Sequence, residues 1–100
     1  MSVLQITEAG RKRVESPEFY RQMWEQWRPF MEERADYSRK QMVEFLSAEL
    51  SLEVLVAITE APESPRFKWG DVETHFDEIG SHVEKLIKYL LTRYSAPVLV

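Results

Sequence analysis

Apolar side chains recur along this chain at intervals of three and four residues. The densest stretch is Phe19 to Phe30, where Phe19, Tyr20, Met23, Trp24, Trp27 and Phe30 are interleaved with Arg21, Gln22, Glu25, Gln26 and Arg28. At about 100° per residue, all six large residues fall in one arc of about 140° and the polar side chains fill the rest. The pattern predicts an amphipathic helix with an aromatic face. Ser16–Pro17–Glu18 marks its start. Serine accepts from free amides, proline suits the first helical position, and glutamate complements the helix dipole. Pro29 should break the helix, yet Phe30 and Met31 hold the phase and Pro29 lands on the polar side. The expectation is a bend, with helix continuing to about Ala35.

Ahead of this helix, Ser2 to Thr7 reads as a short extended segment. Thr7 is the expected N-cap of a short helix over Glu8 to Glu15, weakened by Gly10. Beyond it, the phase is lost near Asp36 to Arg39, and a second long helix is expected from about Ser38 through Ala57. Met42, Val43, Leu46, Leu50, Val54 and Ala57 share one face. Phe45, Leu52, Leu55 and Val56 widen it until the helix is apolar nearly all round, which predicts a buried central position. The β-branched residues Val54, Val56, Ile58 and Thr59 make a strand over Leu52 to Thr59 the competing reading. A strand there would find partners only at the two chain ends, so helix is favoured.

Ala61 to Gly70, with Pro62, Pro65 and Gly70, reads as a loop. Val72, Phe76, Ile79, Val83, Leu86, Ile87, Leu90, Leu91 and Tyr94 then form one stripe over Asp71 to Tyr94. Gly80, and a possible capping box from Ser81 to Glu84, argue for a break; the unbroken phase argues for one long helix. The single helix is favoured. Pro97 ends it and leaves Val98, Leu99 and Val100 as an extended apolar tail. The expected architecture is all-α, a single helical domain over residues 1–100. Three long helices pack as a small bundle, with a short N-terminal helix and short extended termini.

Composition excludes more than it names. An apolar fraction of 44% with 30% charged residues suits a folded domain. The longest apolar runs, Val54 to Ile58 and Ala96 to Val100, are too short to span a bilayer. No basic segment followed by an apolar stretch opens the chain, so no secretion signal is expected. The absence of cysteine leaves no disulfide, no thiolate nucleophile and no Cys-based metal site, which fits a cytoplasmic protein. A net charge of −4 argues against a binder that works by neutralising phosphates. The basic runs Arg11–Lys12–Arg13 and Arg39–Lys40 read as solvated surface.

Candidate chemistry is sparse. His75, Glu78 and His82 could line up along one helix, but the outer pair would sit about 10 Å apart and a fourth metal ligand is lacking. Glu32 with Glu33, and Asp77 with Glu78, are adjacent pairs that point in different directions on a helix. Neither a G-x-S-x-G turn nor a phosphate-cradling glycine loop is present. The expectation is a non-enzymatic protein with no catalytic, cofactor-binding or metal residues. The aromatic face reads as core or as a core shared across an interface. Trp24, Trp27, Phe30 and Arg34, the one charge inside the apolar arc, form the candidate interaction surface. Trp27, near the middle of the arc, should be buried more deeply than Trp24 at its edge.

Two short resemblances point elsewhere. Ile6–Thr7–Glu8–Ala9–Gly10–Arg11 resembles the strand-to-helix step after the wing of MarR- and PadR-type winged-helix regulators, although no recognition helix precedes it here. Asp71 to Tyr94, with Gly80 as turn glycine, resembles a helix-turn-helix. It departs from that pattern at Phe76, where a small residue is expected, and at Ser81, where an apolar one is. This resemblance implies His82, Lys85, Lys88 and Arg93 as DNA-facing residues. The leading expectation is a helical interaction or regulatory module that pairs as a homodimer, because long thin bundles leave stripe edges uncovered. The alternative is a small DNA-binding transcriptional regulator.

Overall fold

A computed structural model describes residues 6–59 and 76–95, which form four helices: α1 Glu8–Glu15, α2 Pro17–Glu33, α3 Arg39–Thr59 and α4 Phe76–Ser95. No strand occurs among the described residues, and Leu52 to Thr59 is the last third of α3. The expected extended ends over residues 2–5 and 96–100, the loop over 61–70 and the helix start over 71–75 lie outside the described residues.

Helices α1, α2 and α3 begin where their cap chemistry allows. Thr7 has extended backbone angles, and its Oγ1 accepts from the Gly10 amide at 2.8 Å. Ser16 joins two helices by itself. Its Oγ donates to the Arg13 carbonyl at 2.8 Å and accepts from the Phe19 amide at 3.2 Å, while Pro17 occupies the first turn of α2. Ser38 and Gln41 form a reciprocal pair at the start of α3. The Ser38 Oγ accepts from the Gln41 amide at 3.1 Å, and the Gln41 Oε1 accepts from the Ser38 amide at 2.9 Å.

Helix α2 continues through Pro29, which faces solvent, and ends at Glu33, two residues short of the expected limit. Its buried residues Phe19, Met23, Trp27 and Met31 recur every fourth position as one ridge. Tyr20 meets Tyr89 edge-on at 5.3 Å and Trp24 lies under Arg93, so α2 runs alongside α4 in the same direction. Across the short turn, Trp27 meets Phe45 of α3 at 6.2 Å.

Helices α3 and α4 make the most extensive contact. They are antiparallel, since Ser38, Arg39 and Met42 border Leu91, Tyr94 and Ser95. The buried set of α3 includes Met42, Leu46, Leu50, Val54, Leu55 and Ile58, packed with Ile79, Val83, Leu86, Leu90 and Leu91 of α4. Apolar all round did not mean buried all round: Val43, Phe45, Leu52 and Val56 are only half-buried. No helix covers those flanks completely among the described residues. The bundle is long and narrow, with extents of 52 × 24 × 23 Å.

Candidate functional site

The four residues expected to form an interaction surface divide among three environments. Trp27 belongs to the core, 7% exposed, as part of the α2 ridge. Trp24 is half-buried against α4, with the Arg93 guanidinium 5.3 Å from its ring. Phe30 lies one turn beyond Trp27, 5.2 Å from it between ring centres, and is 42% exposed. Arg34 follows the last residue of α2 and is held in place three ways. Its Nη1 donates to the Phe30 carbonyl at 3.0 Å, its guanidinium stacks 4.1 Å from the Phe45 ring, and Glu33 lies 3.7 Å away. Cation, ring and terminal carbonyl thus share one site, which satisfies a helix end and covers an aromatic face. Phe30 and Tyr37, the latter also near the Arg34 guanidinium, are the large exposed hydrophobics among the described residues.

A second surface lies between α3 and α4. An open groove of about 340 Å³ has Val43, Ser47 and Ser51 on one wall and Ile79, Val83, Ile87 and Leu91 on the other. Small residues create it: Ser47 and Ser51 stand one turn apart, and a Cβ placed on Gly80 would meet nothing within 4 Å. The Ser51 hydroxyl turns back to the Ser47 carbonyl at 2.6 Å, so it presents little polarity to the groove. Arg39, Glu84 and Lys88 border it and are exposed. Sequence patterning did not single out this groove. The signal was the coincidence of small residues on facing flanks of two helices, which becomes visible only once their register is known.

On α3, the groove residues point about 140° away from Phe45 and Glu53, which face α2; on α4 they point away from Tyr89 and Arg93 by a similar angle. Among the described residues, the α3–α4 seam is therefore covered by α2 on one side and by no helix on the other.

The residues expected to face DNA are also separated. His82 is buried, and its Nδ1, like Trp27 Nε1, has no hydrogen-bond partner among the described residues. Lys85 and Lys88 are exposed. Arg93 stacks over Trp24 and lies 3.4 Å from the Tyr89 hydroxyl. Helix α4 continues through Gly80, so the turn of a helix-turn-helix is not formed there. Lys85, Lys88, Tyr89, Thr92 and Arg93 nevertheless border a shallow depression of about 470 Å³.

His75 lies outside the described residues. Glu78 is engaged elsewhere, accepting from Arg11 Nε at 2.9 Å and tying α1 to α4. That carboxylate raises the Arg11 pKa, as Glu18 does for Arg21. Burial, helped by the Glu15 carboxylate, raises the Tyr20 phenol. No group of three metal-capable side chains occurs among the described residues. No helix among them is long and apolar enough to cross a membrane. No protein-family model matches the chain, and no curated protein or solved structure shows significant similarity to it.

Proposed function

We propose that this chain is a non-enzymatic helical interaction module that acts by pairing with a second copy of itself. The observation that carries this reading is the one-sided cover of the α3–α4 seam. Helix α2 shields one side, while the other keeps an apolar groove walled by Val43, Ile79, Val83, Ile87 and Leu91. A long narrow bundle gains most by burying such a strip against a copy of the same surface. The acidic side chains support a structural role, since Glu18, Glu32 and Glu78 lie in ion pairs with Arg21, Arg28 and Arg11. A cytoplasmic setting belongs to the same proposal, supported by the cysteine-free sequence. Sedimentation equilibrium at high micromolar concentration should give twice the chain mass of 11.9 kDa. A monomer there removes the reading.

DNA binding is the second reading, favoured by one observation: the basic residues Lys85, Lys88 and Arg93 border one depression with Tyr89 and Thr92. Phosphate contacts from such a set would give binding that weakens steeply with salt. Fluorescence polarisation with generic duplex DNA at low and high salt tests it. No binding at low salt excludes it.

A further inference from the structure

Glu84 and Lys88 stand one turn apart on the exposed edge of the α3–α4 groove, and neither has an ion-pair partner among the described residues. Elsewhere on this surface the intrahelical opportunity is taken: Glu18 with Arg21, and Arg28 with Glu32, pair across one turn of α2. On the groove edge a negative and a positive charge four residues apart, the spacing of Arg28 and Glu32, have no such pairing among the described residues. That spacing is self-complementary. A two-fold axis midway between the two residues, with the α4 helices antiparallel, sets Glu84 of each copy against Lys88 of the other.

We propose that two copies of this chain pair antiparallel through their α3–α4 faces, with Glu84 of each copy meeting Lys88 of the other and Gly80 lying inside the contact. The inference rests on the self-association proposed above and assigns its geometry. Two helices of about 30 Å, laid side by side, present about 600 Å² per copy, which places the pair at the lower bound for a stable specific interface. Val43 and Ile87, half-exposed in the single chain, are the apolar side chains this contact covers. Gly80 leaves open space where a side chain would stand, so the facing helix can approach the backbone closely. Arg39, at the end of the groove next to the start of α3, adds a further charge at the rim with no partner among the described residues.

Charge reversal provides the test. Glu84→Lys places two positive residues on the edge and Lys88→Glu places two negative ones. Each variant alone should therefore self-associate about tenfold more weakly than the parent, because two attractive contacts become repulsive. An equimolar mixture of the two variants restores opposite charges at both contacts, and should pair about as well as the parent. Circular dichroism checks that each variant is folded. Gly80→Gln supplies a variant that does not depend on charge: it should keep or raise the helix stability of the single chain while weakening pairing.

Analytical ultracentrifugation of the full chain reads all of these. A parent dimer with weakened single variants and a restored mixture is the expected result. A parent dimer that ignores both charge reversals overturns this geometry and leaves self-association standing. A parent that stays monomeric at high micromolar concentration overturns both, and the groove would then call for a different occupant.

Discussion

The backbone of Ile58 and the Cα of Gly10 touch so closely that no side chain fits between them. A Cβ on Gly10 would overlap the Ile58 carbonyl oxygen and come within 2.8 Å of its Cα. The same carbonyl accepts from the Thr7 amide at 3.1 Å. One end of α1 thus covers the end of α3, where carbonyls lack helical donors, and helix termini of opposite polarity meet. Glycine weakens α1 as an isolated helix, but it is the residue that lets α1 dock.

Gly10→Ala should therefore destabilise the fold by about 1–3 kcal/mol, as overpacking against backbone does. The same change in an open helix interior is worth up to about 1 kcal/mol in the opposite direction. Gly80→Ala supplies that contrast within the same chain, since its Cβ would meet nothing. Urea denaturation of the two variants, at concentrations low enough to keep the chain unpaired, should show shifts of opposite sign. Equal shifts would mean that α1 does not sit on Ile58 in solution.

The helices were legible because local chemistry and hydrophobic phase agreed. Thr7, Ser16 and Pro17 mark their starts in the sequence, and the stripe through Pro29 and Gly80 runs unbroken in the structure as well. Local signals misled where they spoke for one residue at a time. Gly80 and Ser81 suggested a break, but the apolar face on either side decided the outcome. The strand-like composition of Val54 to Thr59 yielded to packing against α1 and α4. The candidate surface was only partly legible. Helical phase ranked Trp27 above Trp24 for burial, but it could not show that Phe30, on the same face, would stay largely exposed. Nor could it reveal the α3–α4 groove, because register between helices is set by long-range packing rather than by any local pattern.

Arg34 joins the end of α2 to the Phe45 ring, so its loss should be felt through geometry as well as charge. Arg34→Ala removes the bond to the Phe30 carbonyl and the stacked cation, and should cost about 1 kcal/mol. Arg34→Lys keeps the charge but loses the planar stack, and should recover less than half of the loss. Thermal melts compare the three proteins. Full recovery by lysine would show that the ring contact contributes nothing.

Tyr20 gives the fold an alkaline sensitivity. Burial raises its phenol pKa above the ordinary value near 10, so the folded state favours the protonated form. The stability it contributes is complete below the unfolded-state pKa, and is lost as pH rises through the higher folded-state value. Tyr20→Phe cannot ionise. Between pH 8 and about pH 11, the variant should lose less stability than the parent. Parallel declines for the two proteins would count against a half-buried phenol at this position.

Trp27 joins α2 to α3. It lies in the buried ridge of α2, 5.2 Å from Phe30 and 6.2 Å from Phe45 between ring centres. Replacing it with alanine should cost about 3–5 kcal/mol, the usual range for removing an aromatic side chain from a packed interior. Against a total stability of about 5–15 kcal/mol, that leaves the variant partly or wholly unfolded at ordinary temperature. Trp24→Ala should cost less than half as much, because Trp24 is half-buried and its outer face meets the exposed side chain of Arg93. Trp27→Phe separates volume from polarity. It keeps most of the apolar body and removes an indole N–H that is buried without a hydrogen-bond partner among the described residues. It should therefore recover most of the alanine loss. If Trp27→Ala instead melted within a few degrees of the parent, the ridge would have to be exposed in solution, and the interaction surface would move from the α3–α4 face to the aromatic face of α2.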